Sequence, residues 1–150
     1  MRTEQENIAD WRQIAIPFAE HLGIDIVRMA DGHSALSFSP RPEHLNSFGV
    51  IHGGAQMTLI DVTMAAAGRS VQPDSGMVTI EMKTSFMRTA RGPVIGRGRL
   101  MHRTRSMAFL EATIEDADGQ VCAHATGTFK YVPRPPQGDG GPATNQPPTD

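Results

Sequence analysis

The sequence predicts a two-layer α+β domain, an antiparallel sheet wrapped around one long buried helix. Three observations carry this. Residues 54–69 place Met57, Leu59, Ile60, Val62, Met64, Ala65, Ala66 and Ala67 all round a helical axis, and a helix apolar on nearly every side is a buried one. After residue 76 the chain turns to period-two alternation broken by turn signals, which describes four consecutive strands. Two shorter strands precede the helix, joined by Asp31-Gly32, a dipeptide of the hairpin type.

Each element has its own signal. Residues 8–22 hold Ile8, Trp11, Ile14, Ala15, Phe18 and Leu22 in an approximate helical stripe, with Pro17 as a kink or break and Gly23 as the stop. Residues 24–29 and 33–39 read as strands, the second with Leu36 and Phe38 on one face. Pro40 and Pro42 open a loop that leads to the helix at 54–69, which ends near Gly68. In the next strand Val78, Ile80, Met82 and Phe86 alternate with Thr79, Glu81, Lys83 and Ser85. Residues 94–104 place Gly96, Gly98 and Leu100 opposite Arg97, Arg99 and Arg103, and glycine on the helix side permits close approach. Strands at 107–115 and 121–132 flank a turn at 116–119. The domain is therefore expected to span 1–132. The tail 133–150 has 6 Pro and 3 Gly and no large apolar side chain, so it is expected to be disordered.

Composition excludes several classes. A net charge of -2 gives no general attraction to nucleic acid or to an anionic membrane. One cysteine, Cys122, rules out an internal disulfide framework and a CxxC metal site. His21, His33, His44, His102 and His124 show no metal-ligand spacing. No apolar run is long enough for a membrane span, and the first residues lack the apolar core of a signal peptide, so a cytoplasmic protein is the expectation. Open sheet edges invite pairing with another copy.

The chemistry concentrates in Asn46-Ser47-Phe48-Gly49-Val50-Ile51-His52-Gly53-Gly54 and the helix behind it. A glycine pair entering a helix exposes backbone N–H groups, and these attract negative charge. Asp61 is the only acid between Glu43 and Asp74. A carboxylate inside an apolar helix is costly unless it has a partner or a task. Together they suggest an oxyanion site beside a base or nucleophile.

The pattern N-x-x-G-x-x-H-G-G, with Asp61 seven residues after the last glycine, resembles the hotdog-fold acyl-CoA thioesterases. It is similar above all to the subfamily related to the phenylacetate-degradation thioesterase, over about residues 10–132. The resemblance implies a dimer joined sheet edge to sheet edge, often doubled to a tetramer, with active sites shared between subunits. It implies that the Gly53 amide polarises the thioester oxygen and that Asn46 and His52 orient the attacked group or the water. It makes Asp61 the base or nucleophile and Thr79 an assisting hydroxyl, although plain alternation puts Thr79 opposite the apolar face. Gly54 and Met57 would border the substrate. The acyl group would be aromatic or of short to medium length, with coenzyme A as part of the substrate and neither metal nor other cofactor required.

Residues 82–110 carry Lys83, Arg88, Arg91, Arg97, Arg99, Arg103 and Arg105 and no acid. Such a stripe could hold coenzyme A phosphates, with Arg88, Arg91, Arg103 and Arg105 as the candidates, or could be a solvated sheet face. Two other classes stay open: a hotdog enoyl-thioester hydratase or dehydratase, and a non-catalytic acyl-CoA-binding module. Turnover of enoyl-CoA, or tight binding without turnover, would separate them.

Overall fold

A computed structural model describes residues 15–134. Helix α1 is Pro17–Leu22, so Pro17 begins the helix at a position where its missing N–H costs nothing. Gly23 closes it at φ 74°. The positions at 8–14 and the tail beyond 134 lie outside the described residues.

Strands β1 (Ile24–Ala30) and β2 (His33–Phe38) form a hairpin. Its turn uses positive φ at both Asp31 and Gly32, the twist that suits a two-residue hairpin. A 3-10 turn at Pro42–His44 and a loop lead to α2, Gly53–Arg69. Then come β3 (Ser75–Phe86), β4 (Val94–Arg103), β5 (Met107–Glu115) and β6 (Val121–Pro133). The six strands form one antiparallel sheet in the order β1-β2-β4-β5-β6-β3. β1 and β3 are its edges, and the α+β class is as expected.

α2 lies across one face of the sheet. Leu59, Ile60 and Met64 are fully buried against Leu36, Phe38, Leu110, Ile114 and Phe129. Each such side chain stabilises the fold by about 1.5–3 kcal/mol. The helix sits close because the strands beneath it lack side chains. A Cβ on Gly98 would stand 2.7 Å from the Thr63 carbonyl, and one on Gly127 would stand 2.9 Å from Met64 Cε. A Cβ on Gly96 would collide with Thr63 Oγ1. The C-terminal end of α2 is fastened as well: Tyr131 OH donates to Gly68 O at 2.7 Å, and Ser70 Oγ accepts the Gly32 N–H at 2.7 Å.

Two bulges correct the simple alternation. Ile80 is an extra residue in β3, because Thr79 pairs with Phe129 and Glu81 with Thr128. Before the bulge Met77 and Thr79 face the helix. After it Met82, Thr84 and Phe86 do, and Val78, Glu81, Lys83 and Ser85 face away. Met101 is a second extra residue, since Leu100 pairs with Leu110 and His102 with Phe109. It turns Arg103 to the helix side, where its Nη1 donates to Gln72 Oε1 at 3.1 Å, away from Arg97 and Arg99. On the outer face Arg97 pairs with Glu115 at 2.8 Å and Arg99 with Glu111 at 2.6 Å. Hydrogen bonds from Arg99 and then His124 hold the Glu111 carboxyl below the usual range.

Candidate active site

The loop 45–52 is organised by its own backbone and by Asn46. Asn46 Oδ1 accepts the N–H groups of Phe48 at 2.9 Å and Val50 at 3.3 Å. Its N–H donates to Val50 O at 2.8 Å, and Leu45 bridges to Ile51. Ile51 N–H donates to Ala90 O at 3.1 Å, which lays the loop along the β3–β4 connection. The Asn46 oxygen is thus spent within the loop. Its NH₂ is the part available to a ligand.

His52 is the N-cap of α2. Its backbone is extended, φ -60° and ψ 139°, and its Nδ1 accepts the Gly54 N–H at 2.8 Å. His52, expected to orient the attacked group or the water, thus has a structural task as the cap of α2. The Gln56 N–H donates to His52 O at 3.1 Å. Of the first-turn donors this leaves the N–H groups of Gly53 and Ala55 without an acceptor among the described residues.

A cavity of about 370 Å³ opens beside Gly53, lined on one side by Asn46, Val50 and Gln56. Phe86, Met87, Arg88, Thr89 and Ala90 line the other. Gln56 Nε2 donates to Ile51 O at 3.1 Å and helps fix the helix entry. Arg88 is a candidate from sequence, whereas Gln56 and the rest of the 86–90 segment carry no such signal. Gln56 reads there as one more helix residue, and the loop's return onto Ile51 leaves no mark in local pattern. Phe48, 84% exposed, stands at the tip of the loop.

Asp61 lies on the half-buried side of α2, and Thr79 Oγ1 donates to its Oδ1 at 2.6 Å. The Ile80 bulge is what allows this, since it leaves Thr79 on the helix face. Oδ2 is then the carboxylate oxygen without a hydrogen bond among the described residues. Eight residues of helix separate Asp61 from Gly53, about 12 Å along the axis. The two do not reach one carbonyl within a single chain. Met57 is half buried on α2 and does not border the cavity, and Gly54 is exposed.

The basic stretch does not form one patch. Arg88 lines the cavity and Arg91 follows in the same connection, ahead of β4. Arg103 and Arg105 lie at the far end of that strand, about 30 Å away. Arg97 and Arg99 are paired on the outer face.

Residues 48–123 match the Thioesterase superfamily. The chain belongs to this family. It shares 30% identity over 105 residues with the proofreading thioesterase EntH of Cronobacter turicensis, covering 69% of this chain and 77% of that one. The conserved protein PA5202 of Pseudomonas aeruginosa superposes with a TM-score of 0.76 at 32% identity, over 81% of this chain and 98% of that one. The E. coli PaaI protein of the phenylacetic acid degradation operon has the same fold, with a TM-score of 0.77 at 20% identity and coverage of 85% and 92%. The fold is the hotdog, and the protein is a thioester hydrolase. Among the described residues no helix of this thioesterase is long and apolar enough to cross a membrane.

Proposed function

We propose that this thioesterase hydrolyses an aromatic or short-to-medium-chain acyl-CoA to the free acid and coenzyme A, at sites shared between two subunits. The observation that carries the reading is the separation of two half-sites on one helix. Gly53 offers an unclaimed N–H at the cavity, and Asp61 holds a carboxylate tied to Thr79 about 12 Å away. Pairing two chains along the free edge of β3, by a two-fold axis, brings the Gly53 of one subunit toward the Asp61 of its partner. A dimer, or a dimer of dimers, is the working assembly.

In this reading the thioester carbonyl oxygen receives the Gly53 N–H, and the positive end of α2 stabilises the charge that develops there. The Asn46 NH₂ and His52 Nε2–H orient the thioester. The Asp61 carboxylate takes a proton from water as the water oxygen bonds to the carbonyl carbon, and the collapsing intermediate expels the coenzyme A thiolate. The alternative has Asp61 bond to the carbon itself, giving an anhydride that water then opens. Arg88, at the cavity wall, is the cation best placed for the coenzyme A phosphates.

The experiment is hydrolysis of an acyl-CoA panel with free thiol as readout, for the native protein and Asp61→Asn. Asparagine keeps the acceptor for Thr79 but takes no proton. The rate is expected to fall about 10²–10⁴-fold with the oligomer intact. Near-native turnover by folded Asp61→Asn, or activity confined to hydration of enoyl-CoA, would overturn the reading. One turnover in heavy-oxygen water separates the two routes. Label enters only the product acid if Asp61 is a base, and enters Asp61 if it attacks and water then opens the anhydride at the Asp61 carboxyl carbon.

A further inference from the structure

His44 is used by no step above. It is 4% exposed and closes the 3-10 turn at Pro42–His44, with its ring 5.3 Å from that of Phe38, centroid to centroid. Its Nδ1 accepts the Arg41 N–H at 3.0 Å. Its carbonyl accepts the His52 N–H at 2.9 Å. His52 then accepts the Gly54 N–H on its own Nδ1 at 2.8 Å. Three hydrogen bonds therefore run in series from the 3-10 turn to the first turn of α2.

The hydrogen-bond network assigns both rings a lone pair at Nδ1, which puts the single ring proton of each on Nε2. His44 Nε2 is buried and meets no acceptor. Arg41 and Glu43 of the same turn pair with each other at 2.8 Å. His21 of α1 is tied in through its carbonyl, which accepts Arg41 Nη2 at 2.7 Å. His52 follows across the backbone bond, and β2 presents the ring of Phe38.

We propose that His44 is a positioning residue for the Gly53 amide. His44 holds the His52 backbone where the His52 ring caps Gly54, and that cap leaves the Gly53 N–H directed at the cavity. The inference rests on the reading of Gly53 as oxyanion donor. Its consequence is that disturbing this turn lowers kcat while substrate binding persists.

Two substitutions divide the possibilities. In His44→Asn the Oδ1 replaces the capping Nδ1 and takes no proton. In His44→Gln the acceptor lies farther from the backbone, at the place of Nε2. His44→Asn is expected to keep kcat within about threefold of native near neutral pH, and His44→Gln to lower it about tenfold or more with KM little changed. Hydrogen exchange without substrate is expected to be faster at the His52 and Gly54 amides in His44→Gln than in the native protein or His44→Asn. Equal kcat and equal exchange in all three folded proteins would overturn the proposal, while leaving the Asp61→Asn result standing. Altered exchange with no loss of kcat would retain the hydrogen-bonded turn and instead overturn the role given to the Gly53 amide.

Discussion

Gly53 occupies the first turn of α2 with an N–H that no described residue accepts, and its Cα is open toward the Phe86 ring. This allows a clean test of one atom. Proline fits the first helical position, and His52 already has the extended backbone that a following proline requires. Gly53→Pro therefore removes the donor and preserves the helix. Gly53→Ala keeps the donor and adds a methyl 3.6 Å from Phe86 Cζ, ordinary contact. The expected result is a loss of about 10²–10³ in kcat for Gly53→Pro and a small change for Gly53→Ala, measured by thiol release. Equal rates in the two variants would remove the amide from the mechanism. Asp61 and Thr79 form the complementary pair: their 2.6 Å bond fixes one carboxylate oxygen and so aims the other.

At the scale of elements, β3 both packs the core and reaches Asp61 by changing phase once. Met77 and Thr79 face the helix on one side of Ile80, and Met82 and Phe86 do so on the other. Deleting Ile80 would restore plain alternation and force one half of the strand to turn over. The half beyond the bulge packs Met82 under α2, so the half that carries Thr79 is expected to turn away from Asp61. Thioester hydrolysis should drop at least to the level of Thr79→Val, with the sheet signature in circular dichroism retained. Activity equal to native would show that the bulge does not place Thr79. This bulge also marks where sequence ceased to be a guide. The central helix, the glycines beneath it and the Asn46-to-Asp61 spacing are written in local residue types, and the structure has them within a residue or so. The face of Thr79 depends on which residue of β6 it meets, and that is settled by pairing between distant strands. The division of the arginines has the same origin in the Met101 bulge and the outer-face partners Glu111 and Glu115. The cap made by His52 was hidden because a histidine before a glycine pair reads equally as ligand contact or as helix cap.

At the scale of the molecule, the proposed function gives one chain two halves of different sites. The proposal of shared sites makes a prediction that no change within a single chain can imitate. Asp61→Asn and Gly53→Pro chains are each expected to be inactive alone. Unfolded together and refolded, random pairing gives mixed dimers in which one site joins an intact Gly53 to an intact Asp61. About a quarter of the native sites should return, if subunits pair at random by two-fold symmetry. Sedimentation of the mixture should show the same even-numbered oligomer as the native protein. No recovery in a mixture that assembles normally would place both groups in one chain's site and refute the shared arrangement.

The two ends of α2 are secured unequally. Tyr131 and Ser70 hold the C-terminal end through bonds to the rest of the fold, and the N-terminal end keeps two amides unspent beside an open cavity. A donor held ready for a substrate is, until the substrate arrives, a bond withheld from stability. Local opening is easiest where such bonds are fewest. Warming should therefore silence the enzyme some degrees before it melts the sheet, a gap visible by following rate and circular dichroism on one temperature ramp, and a saturating non-hydrolysable substrate mimic should narrow it from the active end.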